Sequence, residues 1–140
     1  MRTILIIDDD NSFRELVRTV LEAHGFHVLS AANTNEGLGF LARHDLDAIV
    51  TDYDLPESNG LVFCRVVSRE NARLKRRIPI WMMTGVLSLT EEEARAAGAE
   101  GIFRKPFRVE EMANTIGQRL RGAATKTDVL PSDAATPKRA

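Results

Sequence analysis

Five short apolar runs alternate with longer stretches of helical periodicity between Thr3 and Leu120, and no other feature restricts the fold of this chain so tightly. The runs fall at about residues 3–8, 26–31, 47–52, 79–84 and 101–104. The first, third and fourth are continuously apolar, as strands covered on both sides must be. A strand followed by a helix, repeated, builds a parallel sheet with helices on both faces, so the expected fold class is α/β. The helices carry their own signatures. Phe13, Leu16, Val17, Val20 and Leu21 fall at i, i+3, i+4, i+7 and i+8, one face of a helix that stops at Gly25. Two further helices are expected near residues 35–44 and 60–73. Thr90 followed by Glu93 fits a capping box for a short helix ending near Gly98. Val109, Met112, Ala113, Ile116 and Leu120 give a last amphipathic helix ending at Gly122.

At 140 residues the chain fits one domain able to bury its own core. The expected domain for these elements is residues 1–122. Residues 123–140, rich in Ala, Thr, Ser and Pro with only Val129 and Leu130 as adjacent bulky apolars, read as a disordered tail or a linker. Nineteen basic and twenty acidic residues nearly cancel, so the charge balance gives no reason to expect binding to nucleic acid or to a membrane surface. Function must come from a local site. Cys64, the single cysteine, sits among Val62, Phe63, Val66 and Val67 and reads as a small core residue, which suits a reducing cytoplasm. No stretch approaches the roughly 18 apolar residues of a membrane span, and the expected location is cytoplasmic.

The first apolar run, Ile4-Leu5-Ile6-Ile7, ends in three successive carboxylates, Asp8, Asp9 and Asp10. The third repeats the theme, with Ala48-Ile49-Val50 leading into Asp52. The fourth ends in Thr84, and Lys105 closes the fifth. In an open parallel sheet ligands bind beyond the carboxyl ends of the strands, so these groups converge on the ligand edge. Neighbouring carboxylates raise one another's proton affinity unless a divalent cation neutralises them. Few, hard oxygen ligands favour Mg²⁺, which keeps several waters and accepts a phosphoryl oxygen. The acids therefore imply Mg²⁺, and Mg²⁺ implies phosphate.

The segments "ILIIDDD", "VTDYDLPESNG", "MMTG" and "FRKPF", in that order and at these spacings, resemble the receiver domain of two-component response regulators over about residues 2–121. Singly each motif is weak, whereas four in register are specific. The resemblance implies a chemotaxis-regulator-like single domain, with a doubly wound five-stranded parallel sheet in the flavodoxin-like order 2-1-3-4-5. It implies that Asp52 accepts a phosphoryl group from a histidine kinase or histidine phosphotransfer protein. Asp9 would bind Mg²⁺ directly, Asp8 through water, and Asp54 through its backbone carbonyl, with Asp52 completing the metal set. Thr84 would donate a hydrogen bond to the phosphoryl group and Lys105 would pair with it. A cis Lys105–Pro106 bond is also implied. Such a domain is a signalling switch rather than a turnover enzyme, catalysing only its own phosphorylation and slow dephosphorylation, and it passes a changed surface to a downstream target protein. The chemistry agrees: a carboxylate is a competent nucleophile towards a loose phosphoryl transition state whose equatorial oxygens meet fixed positive charge and donors.

Each feature has a plainer reading. Asp10, Asn11 or Ser12 serves to cap the first helix. His24, His27 and His44 show no ligand spacing and read as surface or loop residues, and the basic run at 73–79 reads as a solvated helix end. Two rivals differ in class. A haloacid-dehalogenase-like phosphatase would use Asp52 as nucleophile and Asp54 as acid, but its motif belongs to an early strand with further motifs downstream. A pseudo-receiver that only binds partners would not need Asp9, Asp52, Thr84 and Lys105 together. Receivers typically carry Tyr or Phe three residues before the lysine, and here that residue is Ile102. A branched aliphatic has no polar tip to alternate between water and interior, so the expected output change runs through the Gly85–Thr90 segment and the helix after it.

Overall fold

The structure, a computed structural model, describes residues 1–129. Strands β1 (Thr3–Ile7), β2 (His27–Ala31), β3 (Ala48–Asp52), β4 (Ile80–Thr84) and β5 (Gly101–Arg104) form one parallel sheet in the order β2-β1-β3-β4-β5. Helices α1 (Asn11–Ala23), α2 (Thr34–Arg43), α3 (Gly60–Leu74), α4 (Glu91–Ala96) and α5 (Val109–Val129) connect and cover it. The doubly wound α/β expectation holds, and the strands fall within a residue of their expected limits.

Because successive strand residues point to opposite faces, each strand feeds two cores. Ile4 and Ile6 of β1, Val50 of β3 and Met83 of β4 pack under α1 and α5 through Val17, Leu21, Met112 and Ile116. Leu5, Ile7, Ile49 and Met82 pack on the other side against Phe63, Cys64 and Val67 of α3 and Ala94 of α4. All four aliphatics of β1 are fully buried, which at about 1.5–3 kcal/mol each makes this strand the centre of both cores. Cys64 is a core residue as expected, and burial pushes its thiol up to about 12, leaving it unreactive.

The helix ends obey local chemistry. Asp10, Asn33, Asn59 and Thr90 each accept from the backbone N–H three residues on, and Thr90 with Glu93 closes the expected capping box. Gly25 and Gly98 take positive φ, 92° and 108°, just past α1 and α4. Two expectations change. Leu16 is half exposed, because it lies at the edge of the α1 stripe, whose centre is formed by Phe13, Val17, Val20 and Leu21. The last helix does not stop at Gly122 but continues to Val129: Ala123 and Ala124 favour helix, and the first proline after Gly122 is Pro131. Of the expected tail, residues 130–140 lie outside the described residues.

One glycine holds the site directly. Gly60 opens α3 against the end of β3, and an added Cβ would lie 2.7 Å from the Asp52 carbonyl oxygen and 3.2 Å from the Tyr53 Cα. Both are backbone atoms of the buried strand end and have little room to give. Gly60→Ala should therefore lower stability by about 1–3 kcal/mol despite alanine's better helix propensity. Thermal unfolding checks this, and an unchanged or raised Tm would contradict it.

Candidate functional site

The sheet order puts the carboxyl ends of β1, β3, β4 and β5 side by side, and with them Asp8, Asp52, Thr84 and Lys105. Asp8, Asp9 and Asp52 each offer a carboxylate oxygen within 4.8 Å of the others, with Asp8 and Asp52 buried and Asp9 exposed. Lys105 extends its Nζ between two of them, 3.3 Å from Asp8 Oδ2 and 3.3 Å from Asp52 Oδ1. Thr84, 1% exposed, accepts a hydrogen bond from the Val86 N–H at its Oγ1, 2.8 Å, and leaves its hydroxyl proton to donate. Asp54 lies just beyond β3, exposed, bridged to Asn59 across the turn that leads into α3. The sequence-derived set is thus brought to one edge. Asp10, outside that set, accepts from Phe13 N at 3.0 Å and serves as the cap of α1, as expected.

The electrostatics follow from crowding. Burial raises the Asp52 carboxyl, the Asp8 charge raises it further, Lys105 offsets part of this, and the result is pushed up to about 6. Burial works against the Lys105 ammonium, but Asp52 and Asp8 outweigh it and hold its pKa above the ordinary lysine value. One cation set between two buried carboxylates leaves the site short of positive charge. A hard divalent cation matches that deficit and the all-oxygen donor set, so the residues fit Mg²⁺.

Three residues support the site in roles that the sequence did not assign to them. Lys105 Nζ lies 5.1 Å from the centroid of the Phe13 ring, which covers a further side of the ammonium. Arg14 donates to the Asp8 carbonyl at 2.6 Å and to Ser30 Oγ at 2.7 Å, tying the β1 end to β2. Arg104 reaches over the β4–α4 loop to the carbonyls of Val86 and Leu89. The available signal for the first two was their place in the first turn of a helix that starts immediately after the acids. Of the histidines, all exposed, His24 meets Glu110 at 2.7 Å, and none approaches the site. The basic run behaves as a helix end, with Arg73 on Glu70 and Arg76 on Asp45. The Lys105–Pro106 bond is cis.

Fold and site together place the molecule in the flavodoxin-like α/β class whose ligand edge carries an acidic cluster, a lysine and a threonine. Residues 4–117 match the family model described as the response regulator receiver domain, and the chain belongs to that family. It is 36% identical over 126 residues to the response regulator MprA of Mycobacterium leprae, covering 89% of this chain and 53% of that protein. It is 32% identical over 135 residues to a protein of Synechocystis sp. described as the DNA-binding dual master transcriptional regulator RpaA, covering 96% of this chain and 54% of that one. The chain thus spans about half the length of these relatives. The chemotaxis response regulator CheY4 of Vibrio cholerae superposes with a TM-score of 0.74 at 32% identity, covering 86% of this chain and 98% of that one. Family membership sets the phosphatase rival aside.

Proposed function

We propose that Asp52 is the phosphoacceptor of a two-component signalling switch, taking its phosphoryl group from a histidine kinase or a histidine phosphotransfer protein. The observation that carries this reading is the Lys105 ammonium held at 3.3 Å from both Asp8 and Asp52 at the ligand edge of the sheet. An Asp52 oxygen forms the new O–P bond as the P–N bond to the donor imidazole breaks, and the imidazole leaves with a proton. Lys105 and the Thr84 hydroxyl meet the charge that spreads over the equatorial oxygens. Asp8, Asp9, Asp52 and the Asp54 carbonyl would hold Mg²⁺, which when bound neutralises the carboxylates and one phosphoryl oxygen. The phosphorylated form offers an altered surface to a downstream protein and returns slowly by hydrolysis at the same site.

Residues 1–122 constitute this unit in our reading, with the remainder as a tail or a link to further sequence. No described helix is long and apolar enough to cross a membrane, and a cytoplasmic kinase partner suits that. A binding module that has lost phosphorylation would not need the Asp9, Asp52, Thr84 and Lys105 set that this chain retains.

Intact mass after incubation with acetyl phosphate tests the reading. Wild-type protein with Mg²⁺ should gain roughly 80 Da, one phosphoryl group replacing a proton, as acyl phosphate formation requires. Omitting the cation or substituting Asp52→Asn should remove the adduct. An undiminished adduct in the Asn variant would refute the assignment.

A further inference from the structure

The β4–α4 loop, residues 85–90, connects the Thr84 hydroxyl to the start of α4, and its fastenings are unequal. At one end the Val86 N–H donates to Thr84 Oγ1 at 2.8 Å, and at the other Leu89 is buried and Thr90 caps α4. Between them Gly85 has open space around its Cα, and Leu87 is 86% exposed. Arg104 bridges the loop from Val86 to Leu89: its Nη1 donates to the Val86 carbonyl at 3.1 Å and its Nη2 donates to the Leu89 carbonyl. Arg104 is the last residue of β5, paired in register with Thr84, and its neighbour Lys105 donates its backbone N–H to the Thr84 carbonyl at 2.8 Å.

Ile102 packs against the α2–α4 core and offers no polar group to this loop. Arg104 lies two residues along the strand, on the same face, with a rigid fork of donors long enough to bridge the two carbonyls. We propose that Arg104 is the positioning residue that couples Thr84 to the output loop: by clamping Val86 and Leu89 it holds the Val86 N–H on the Thr84 hydroxyl and so keeps that hydroxyl in its unphosphorylated orientation. This rests on the phosphoacceptor reading above. The Thr84 proton is free to donate while Oγ1 accepts, but moving Oγ1 itself towards a phosphoryl group on Asp52 takes it away from the Val86 N–H, and the loop can follow only if the Arg104 fork releases its carbonyls. Charge-assisted hydrogen bonds of this kind are among the stronger ones, so the clamp favours the resting arrangement and adds to the free energy that phosphorylation must overcome.

The test compares wild type with Arg104→Met, which keeps the apolar stem, and Arg104→Lys, which keeps the charge but loses the fork. Two readouts are taken on the full chain: amide exchange of residues 85–90 without ligand, and the apparent affinity for beryllofluoride with Mg²⁺. Arg104→Met should speed exchange across the loop and tighten beryllofluoride binding by roughly tenfold, the least that losing both charge-assisted hydrogen bonds of the resting clamp implies, with Arg104→Lys between the two. A side chain needed only for packing would weaken binding when removed. Slower or unchanged loop exchange, or weaker binding in both variants, would overturn the proposal. Failure of wild-type protein to bind beryllofluoride would instead count against the phosphoacceptor reading, while the exchange comparison would still decide whether the clamp exists.

Discussion

Asp52→Asn should make the metal-free protein more stable at pH 7.5, although the substitution removes the residue on which the proposed function depends. Burial and the Asp8 charge push the Asp52 carboxyl up to about 6, from 3.8 for the free group. Its folded pKa is therefore above its unfolded one, and the native state holds the extra proton between those values. Stability contributed by this group is highest at low pH and falls as pH rises from about 4 to about 6. At roughly 1.4 kcal/mol per unit, the ionised carboxylate costs up to about 3 kcal/mol at neutral pH. An amide carries no such penalty. The pKa of about 6 already includes the attraction of Lys105, so this net cost is the ceiling on the gain, and the expected stabilisation is about 1–3 kcal/mol, or a Tm rise of several degrees. Below pH 4 the difference should vanish. Adding millimolar Mg²⁺ should shrink it at pH 7.5, since an ion that binds the native wild type stabilises it by mass action. Thermal unfolding of both proteins across pH 3.5–8 with a chelator present measures this, and an Asn variant less stable than wild type at pH 7.5 would contradict the electrostatic cost assigned to the ionised Asp52.

Lys105→Met should act in the opposite sense on stability and strongly on reactivity. The ammonium lies against two buried carboxylates, and removing it leaves Asp8 and Asp52 facing one another with no other ion pair among the described side chains. The folded state should lose a few kcal/mol at neutral pH without metal, the usual cost of breaking a buried charge pair on one side, and Mg²⁺ should restore part of it. The rate of phosphoryl uptake from acetyl phosphate should fall by about 10²–10³, the scale of losing one fixed charge aimed at a transition-state oxygen. The double variant Asp52→Asn, Lys105→Met should be more stable than Lys105→Met alone, because it removes the uncompensated charge. Phosphorylation near the wild-type rate in Lys105→Met would remove Lys105 from the reaction. Equal stability of the single and double variants would show that the buried carboxylates do not repel.

Much of the architecture was readable before any coordinates. A strand buried on both faces must be apolar throughout, which marked Ile4–Ile7 and Ala48–Val50. A helix covering one face of a sheet must repeat its apolar residues every three to four positions, which marked α1 and α5. Strand ends show where the chain leaves the apolar layer, so acids at Asp8 and Asp52 marked the ligand edge. Capping chemistry acts within four residues, and Thr90 with Glu93 was legible for that reason. The end of α5 was misread because Gly122 signals a stop only if the following residues leave the helix, and alanines do not.

What the sequence could not supply was distance between remote parts of the chain. Lys105 and Asp8 are 97 residues apart, and only the order β2-β1-β3-β4-β5 sets one ammonium against both buried carboxylates. The elevated pKa of Asp52 is likewise a tertiary property, since it depends on how much water the surrounding strands exclude. The exposure of Leu16 was decided by where α5 lies against α1, and the reach of Arg104 to Val86 and Leu89 by which face of β5 turns towards the β4–α4 loop. Local patterns encode which residues are buried because burial has the period of the element itself. The identity of the neighbours depends on strand order and side-chain direction, which become definite only when the sheet closes around its two cores.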